Sequence, residues 1–414
     1  MSALPNLPES SRHKAYLELA DYAKRLKDIS SARGIYSQVT HECPKTAQGW
    51  LEYSKMEEEE GRSERAFEIL IEGLSHCSLS EGLLIKAIKH KEKWGKIDEA
   101  RVLLSRLKKE DKSKVWRTIL EGALLESRAG RMQVARRVFK YLMAHVPWYG
   151  PIYYEAFRIE EKAGDFARAR EIVKRGLKEI PMYGPLWFGA FRIGERSGGW
   201  QSMVEEAIPV ISKELVWKVY YEAAMISERS AMSSLSLSPS QQFIPSSELS
   251  ECRLYLAKAA FSCPKNFQFK VWLAGGRMEM NAGRVEASLR LFKAAYTCVP
   301  EKSKAVVLLE CAKMEEYRGN LVLARAMLCK ARYECRSDWK VWMESVFMEI
   351  RAGNRDQAIA LAEAGIEKHR DAGRLWAIIV HLKEKEGEES QLRLLERAIN
   401  EVPKSGEVWC EGAR

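Results

Sequence analysis

Three kinds of side chain in this 414-residue sequence could do chemistry: nine cysteines with seven histidines, the many carboxylates, and a recurrent set of cations. Thiol and imidazole groups bind zinc or form redox pairs, but only at short, fixed spacings. No CxxC pair occurs, and no histidine stands at metal-ligand spacing to a cysteine. Instead, Cys43, Cys77, Cys263, Cys298 and Cys335 each follow an equivalent Ala or Cys (Ala32, Ala66, Cys252, Ala287, Ala324) by eleven residues. One recurring slot that accepts a small apolar group is expected to be core packing. GxxxxGK, GxSxG and HExxH are all absent from the sequence. The carboxylates recur with a regular period, as a solvated face would have them. The expectation is a chain that is not an enzyme and uses no cofactor and no metal.

Cations are the more suggestive group. Between Lys86 and Lys178 there are 24 Lys and Arg against 12 Asp and Glu, while the whole chain carries a net charge of +10. The positive charge is therefore regional. Lys55, Lys89, Arg158, Arg192 and Lys313 occupy one recurring position, nearly opposite the apolar stripe of their helices at ~100° per residue. Stacked helices lie ~8–10 Å apart, so such side chains could form a ladder that meets RNA phosphates or a partner. Leu124 interrupts that ladder. Ser238, which precedes Pro239, is a candidate phosphorylation site for proline-directed kinases.

The elements that carry these residues repeat. The stretch VPWYGPIYYEAFRIEE at 146–161 returns as IPMYGPLWFGAFRIGE at 180–195, a shift of 34 residues. Around that anchor a small residue recurs as Ala32, Ala66, Ala100, Ala135, Ala169, Met203, Cys252, Ala287, Ala324, Ala358 and Gln391. Five residues before it lies a turn glycine, at Gly61, Gly95, Gly130, Gly164, Gly198, Gly319 and Gly353. Sixteen residues before it lies a large apolar group such as Trp50, Tyr153, Trp187 or Trp342, with Trp272 and Trp376 one residue late. Proline closes several units, at Pro44, Pro147, Pro181, Pro264 and Pro403. Each unit reads as helix A, a glycine turn, helix B and a stop. A pair that short cannot bury its own stripe, so units must stack. The fold class predicted is an all-α, right-handed α-solenoid of about eleven helix pairs.

The periodicity breaks in the middle. Pro209 stands inside helix B of repeat six, where a proline bends or stops the helix. The Ser-rich segment 227–250 reads as a disordered insertion between the two helices of repeat seven. These breaks suggest a flexible N-terminus (1–13), an N-terminal lobe (14–210) and a C-terminal lobe (211–414). Trp409 opens a twelfth helix A and the sequence stops five residues later, as expected of a fragment or of an end that needs a partner. No apolar run reaches the ~18 residues of a membrane span, and the start lacks a secretory core.

The spacing of Trp50, Tyr53, Met56 and Glu57 in WLEYSKME, with ARAREIVKRGLKEIP at 167–181, resembles the HAT (half-a-TPR) repeat. The HAT glutamate stands at Glu57, Glu126, Glu160, Glu315 and Glu349; the arginine that follows the small residue stands at Arg33, Arg101, Arg136, Arg170, Arg253 and Arg325. Both sets are expected to make polar bonds that fix helix angles. The resemblance, to RNA-processing HAT-repeat proteins and similar to spliceosomal HAT-repeat scaffold subunits, implies a non-catalytic scaffold of an RNA-processing particle, in splicing, 3′-end formation or rRNA processing. It implies other subunits as partners, single-stranded or structured RNA as a candidate ligand, a homodimer as a further option, and a nuclear location, with cytoplasm or an organelle as alternatives. The competing readings are a TPR-type protein adaptor with no RNA role and an organellar solenoid that stabilises transcripts.

Overall fold

The computed structural model describes residues 9–106, 114–235, 243–245 and 247–414. Among the described residues the regular structure is helical throughout. Repeats one to three are α1 (Glu9–Arg25) with α2 (Ile29–Glu42), α3 (Ala47–Glu59) with α4 (Ser63–His76), and α5 (Glu81–Lys93) with α6 (Ile97–Ser105). Repeats four to six are α7 (Trp116–Arg128) with α8 (Met132–His145), α9 (Gly150–Lys162) with α10 (Phe166–Glu179), and α11 (Gly184–Ser197) with α12 (Trp200–Ala207). Then come α13 (Val216–Leu235) with α14 (Ser250–Ser262), α15 (Lys265–Asn281) with α16 (Val285–Cys298), and α17 (Lys304–Tyr317) with α18 (Leu321–Glu334). The last are α19 (Trp339–Arg351) with α20 (Arg355–Lys368), α21 (Gly373–Leu382) with α22 (Glu388–Glu401), and a twelfth helix A, α23 (Gly406–Gly412). Two compact units divide the chain, one up to Ile193 and one from Gly194. Within each, a helix A packs on its own helix B, and helix B packs on the next helix A. Each unit is a stack of α-solenoid repeats. No described helix is long and apolar enough to cross a membrane.

The turns explain why the glycine is needed. At Gly61, Gly95, Gly130, Gly164, Gly198, Gly319 and Gly353 the backbone is left-handed, with φ between 72° and 81°. The next residue's N–H then reaches back to a carbonyl at the end of helix A, as in Arg62 N to Glu57 O at 2.8 Å and Asn354 N to Glu349 O at 2.9 Å. This pairing satisfies acceptors that the helix end leaves open. Repeat one has no glycine at this place, and Lys27 takes φ of 60° instead. A side chain there costs ~1–2 kcal/mol, partly offset by the greater freedom glycine loses on folding. Lys27→Gly should therefore raise stability by up to about 1 kcal/mol, read as a higher urea midpoint at constant slope.

Trp50 and its equivalents set the spacing between helices. Trp50 is 3% exposed, and its indole N–H donates to the Pro44 carbonyl at 2.9 Å. Trp187, Trp376 and Trp409 make the same bond six residues back, to Pro181, Arg370 and Pro403. In three repeats helix B meets this ring with a glycine, at Gly73, Gly176 and Gly365. A Cβ on Gly73 would lie 2.8 Å from Trp50 Cγ, and one on Gly176 would lie 3.0 Å from Tyr153.

Two readings of the sequence need correction. The small position of repeat eight is Ser288, not Ala287: Ser288 is fully buried and donates to the Gly276 carbonyl at 2.8 Å. This places the left-handed Gly283 five residues before it and Trp272 sixteen before it, in phase with the other units. The supposed insertion also begins later than residue 227. Residues 227–235 continue α13, because the buried stripe of Ala223, Ala224, Ile226, Ser227 and Ala231 extends past that point. Ile244 and Leu249, within the same Ser-rich segment, are buried in the core. Residues 236–242, including Ser238, lie outside the described residues. The stop in repeat six falls as its proline requires, with α12 ending at Ala207.

Candidate partner-binding surface

The periodic glutamates and arginines are turned into the stack rather than presented on its exposed side. They build the joints between repeats. Arg33 on α2 donates to both carboxylate oxygens of Glu57 on α3, and Arg101 on α6 does the same to Glu126 on α7 at 2.7 and 2.9 Å. Arg136 and Glu160 pair at 2.8 and 2.7 Å, and Arg325 and Glu349 at 2.8 Å twice. Arg253 completes the set with Glu279, a partner the sequence reading missed because repeat eight is displaced by one residue. Each pair joins helix B of one repeat to helix A of the next, so the angle it fixes is between repeats rather than within one. The carboxylates of Glu57, Glu160, Glu279 and Glu349 are buried. Hydrogen bonds from Arg325 hold the Glu349 carboxyl below the usual range, and Arg101 does so for Glu126.

Where the residue types fail, the joint changes. Between repeats two and three the two positions hold Phe67 and Lys91, and the Lys91 ammonium stands 4.2 Å from the Phe67 ring centroid. Buried His90 sits beside them against Phe67 and Trp94, and burial pushes its pKa down. Arg170 is exposed, and the position 24 residues on is Gly194, which has no side chain to accept a bond. Glu315 takes Arg318 and Asn320 of its own turn, because the arginine of repeat eight stands one residue late, at Arg290.

The cation ladder does lie on the exposed side of the A helices, but none of its rungs is bare. Lys89 on α5 is 3.3 Å from Glu121, Arg158 on α9 is 3.1 Å from Glu155, and Arg192 on α11 is 3.4 Å from Glu161. Lys55 is 3.8 Å from Glu52, and in the second unit Lys313 is 3.6 Å from Glu344. All five side chains remain between 41% and 57% exposed, so these pairs are weak and salt-sensitive. A second row along the A helices escaped the sequence reading. Arg128 reaches back to Glu92, Arg229 to Glu195 and Arg351 to Glu316, while Arg277 reaches forward to Glu310. Its signal was present as Glu and Arg one repeat period apart, at separations of 33 to 36 residues.

The recurrent cysteines line the core edge. Cys43 and Cys263 are buried; Cys77, Cys298 and Cys335 are half-buried. Burial raises the thiol pKa of Cys77, Cys298 and Cys335, and pushes Cys263 up to about 11, which disfavours the reactive thiolate.

Comparison with known proteins supplies a family context for this stack. The profile of the family described as PRP6, TPR-like domain matches residues 6–414. A TPR-containing protein of Dictyostelium discoideum is 46% identical over 417 residues, covering 100% of this chain and 31% of that protein. The chain thus spans about a third of that relative's length. Among solved structures, yeast Tom70 aligns at TM-score 0.43 and 12% identity, over 98% of this chain and 96% of that one. PilW, a type IV pilus biogenesis factor, aligns at TM-score 0.36 and 17% identity over 47% of this chain and 90% of that one.

Proposed function

This chain belongs to the PRP6, TPR-like domain family, and from that premise we propose that it serves as a scaffold inside an RNA-processing ribonucleoprotein. A TPR-like repeat stack offers surfaces for protein partners. The particle itself, its other subunits, a nuclear location and the absence of catalysis belong to the proposal. The observation that carries it is the division of labour among charged residues. The periodic Arg and Glu side chains are consumed in joints between repeats, which leaves the helix A surface and the surplus positive charge of residues 86–178 for partners. In this reading Lys55, Lys89, Arg158, Arg192 and Lys313 contact phosphates or acidic subunits by exchanging their weak intramolecular partners.

The test is purification of the tagged chain from cells with and without ribonuclease, followed by identification of the proteins retained. Recovery of RNA-processing subunits supports the proposal; recovery of unrelated proteins alone overturns it. Direct RNA contact has its own test. Reversing Lys89, Arg158 and Arg192 to Glu should weaken binding of a single-stranded RNA about tenfold or more and flatten the salt dependence of the wild-type chain. The second reading, a protein adaptor with no RNA role, is favoured by the carboxylate beside each of the five cations. It becomes the better account when RNA retention is negligible even at low salt.

A further inference from the structure

On the helix B side of the first unit, α8, α9 and α10 enclose a cleft of about 490 Å³. Its walls come from successive B helices, and its apolar floor is presented mainly by the half-buried Ile159 and Ile172, with the buried Phe139, Met143 and Ala156 completing the lining. Five cations line it against two carboxylates. The charges are not equivalent. Both oxygens of Glu160 are taken by Arg136, and Arg168 is 3.3 Å from Asp165. Arg175 donates to the Met143 carbonyl at 3.4 Å, which orients the guanidinium and leaves its charge uncompensated. Arg137 and Lys140 are exposed, and neither has a carboxylate partner among the described residues. The cleft therefore presents three uncompensated cations, Arg137, Lys140 and Arg175, against one carboxylate, Glu171.

We propose that this cleft is a docking site for an extended acidic segment of a partner protein that carries an apolar anchor side chain. The inference rests on the scaffold reading and deepens it by giving the chemistry of one partner. Charge complementarity supplies the acidic requirement. The floor supplies the anchor: an apolar side chain seated there loses its water, as at the centre of a protein interface. RNA is the poorer occupant. Single strands bind by stacking bases on exposed aromatic faces, and the one aromatic lining residue, Phe139, is 3% exposed.

The test is selection of 12-residue peptides from a random display library on the immobilised 414-residue chain, followed by fluorescence anisotropy with the selected peptides. The expected peptides carry several Asp or Glu around a Leu, Ile or Phe. They should bind Arg137→Glu/Lys140→Glu about tenfold more weakly, and replacing the anchor with Ser should cost as much. Both protein changes are at exposed positions, so the fold is kept; far-UV circular dichroism checks it. Lys14→Glu/Arg25→Glu, at exposed positions of α1 outside the cleft, alters net charge equally and should leave affinity unchanged. Peptides without acidic residues, equal affinity for the cleft variant, indifference to the anchor, or displacement by a 12-nucleotide oligouridylate would each overturn the proposal. The ribonuclease-controlled purification reports on the scaffold reading independently, because it does not depend on these peptides.

Discussion

Trp50→Ala should lower the stability of the N-terminal unit by about 3–5 kcal/mol, the cost of emptying a large aromatic site in a packed core. Trp50 is almost fully buried, and its ring lies parallel to His76 at 5.7 Å between centroids. The same helix, α4, meets the ring with its backbone at Gly73, which cannot move inward as a side chain could. The variant also leaves the Pro44 carbonyl, which accepts the indole N–H at 2.9 Å, with only the weak thiol donor of Cys77 at 3.4 Å. A repeat contacts only its neighbours, so the loss should appear as separate early unfolding of the first repeats. Urea unfolding followed by circular dichroism should show a lower midpoint and a shallower slope. A midpoint shift worth less than about 1 kcal/mol would mean that the helices close over the gap, and that the aromatic slot is not what spaces them.

The second large effect is electrostatic. Arg325→Ala removes one partner of the joint between repeats nine and ten and leaves the Glu349 carboxylate, 2% exposed, without its guanidinium. Breaking a buried pair from one side costs ~3–5 kcal/mol, and about 3 is expected here because Arg325 is 38% exposed and Asn354 still donates to Glu349. The paired change Arg325→Ala with Glu349→Leu should recover most of that loss, since no charge is then left in the joint. A full thermodynamic cycle in urea measures both. Equal stability of the single and the wild-type proteins would show that the joint adds nothing, and that the Arg–Glu ladder serves only specificity of stacking.

Much of the architecture was legible in the sequence because its cause is local and repeated. The left-handed turn can be met by few residues other than glycine, so Gly61, Gly130 and Gly353 announce their positions. The aromatic slot and the glycine facing it are coupled by volume in three repeats, so Trp50 with Gly73, Tyr153 with Gly176 and Trp342 with Gly365 share one separation. Register was less secure. One residue of displacement at Ser288 hid Glu279 from its arginine, although the positive φ at Gly283 marks the same shift. The Ser-rich composition of 227–235 pointed to a loop, yet the helix continues there. Its buried face needs only Ser227 and Ala231, and the polar residues occupy the other side.

The sequence by itself determined the unit, its length, its turn and the stack of pairs, since each follows from which residues tolerate a given backbone or fill a given volume. Which charge meets which was settled only by the tertiary structure. The periodic arginine and glutamate could have met within a repeat, met across two repeats as Arg33 and Glu57 do, or faced a ligand, and periodicity is the same in all three cases. The exchange of an ion pair for Phe67 with Lys91, the carboxylates beside Lys89 and Arg192, and the uncompensated Arg137 and Lys140 all depend on distances between separate helices. Electrostatic energy falls with separation and with exposure to water, and a linear pattern encodes neither.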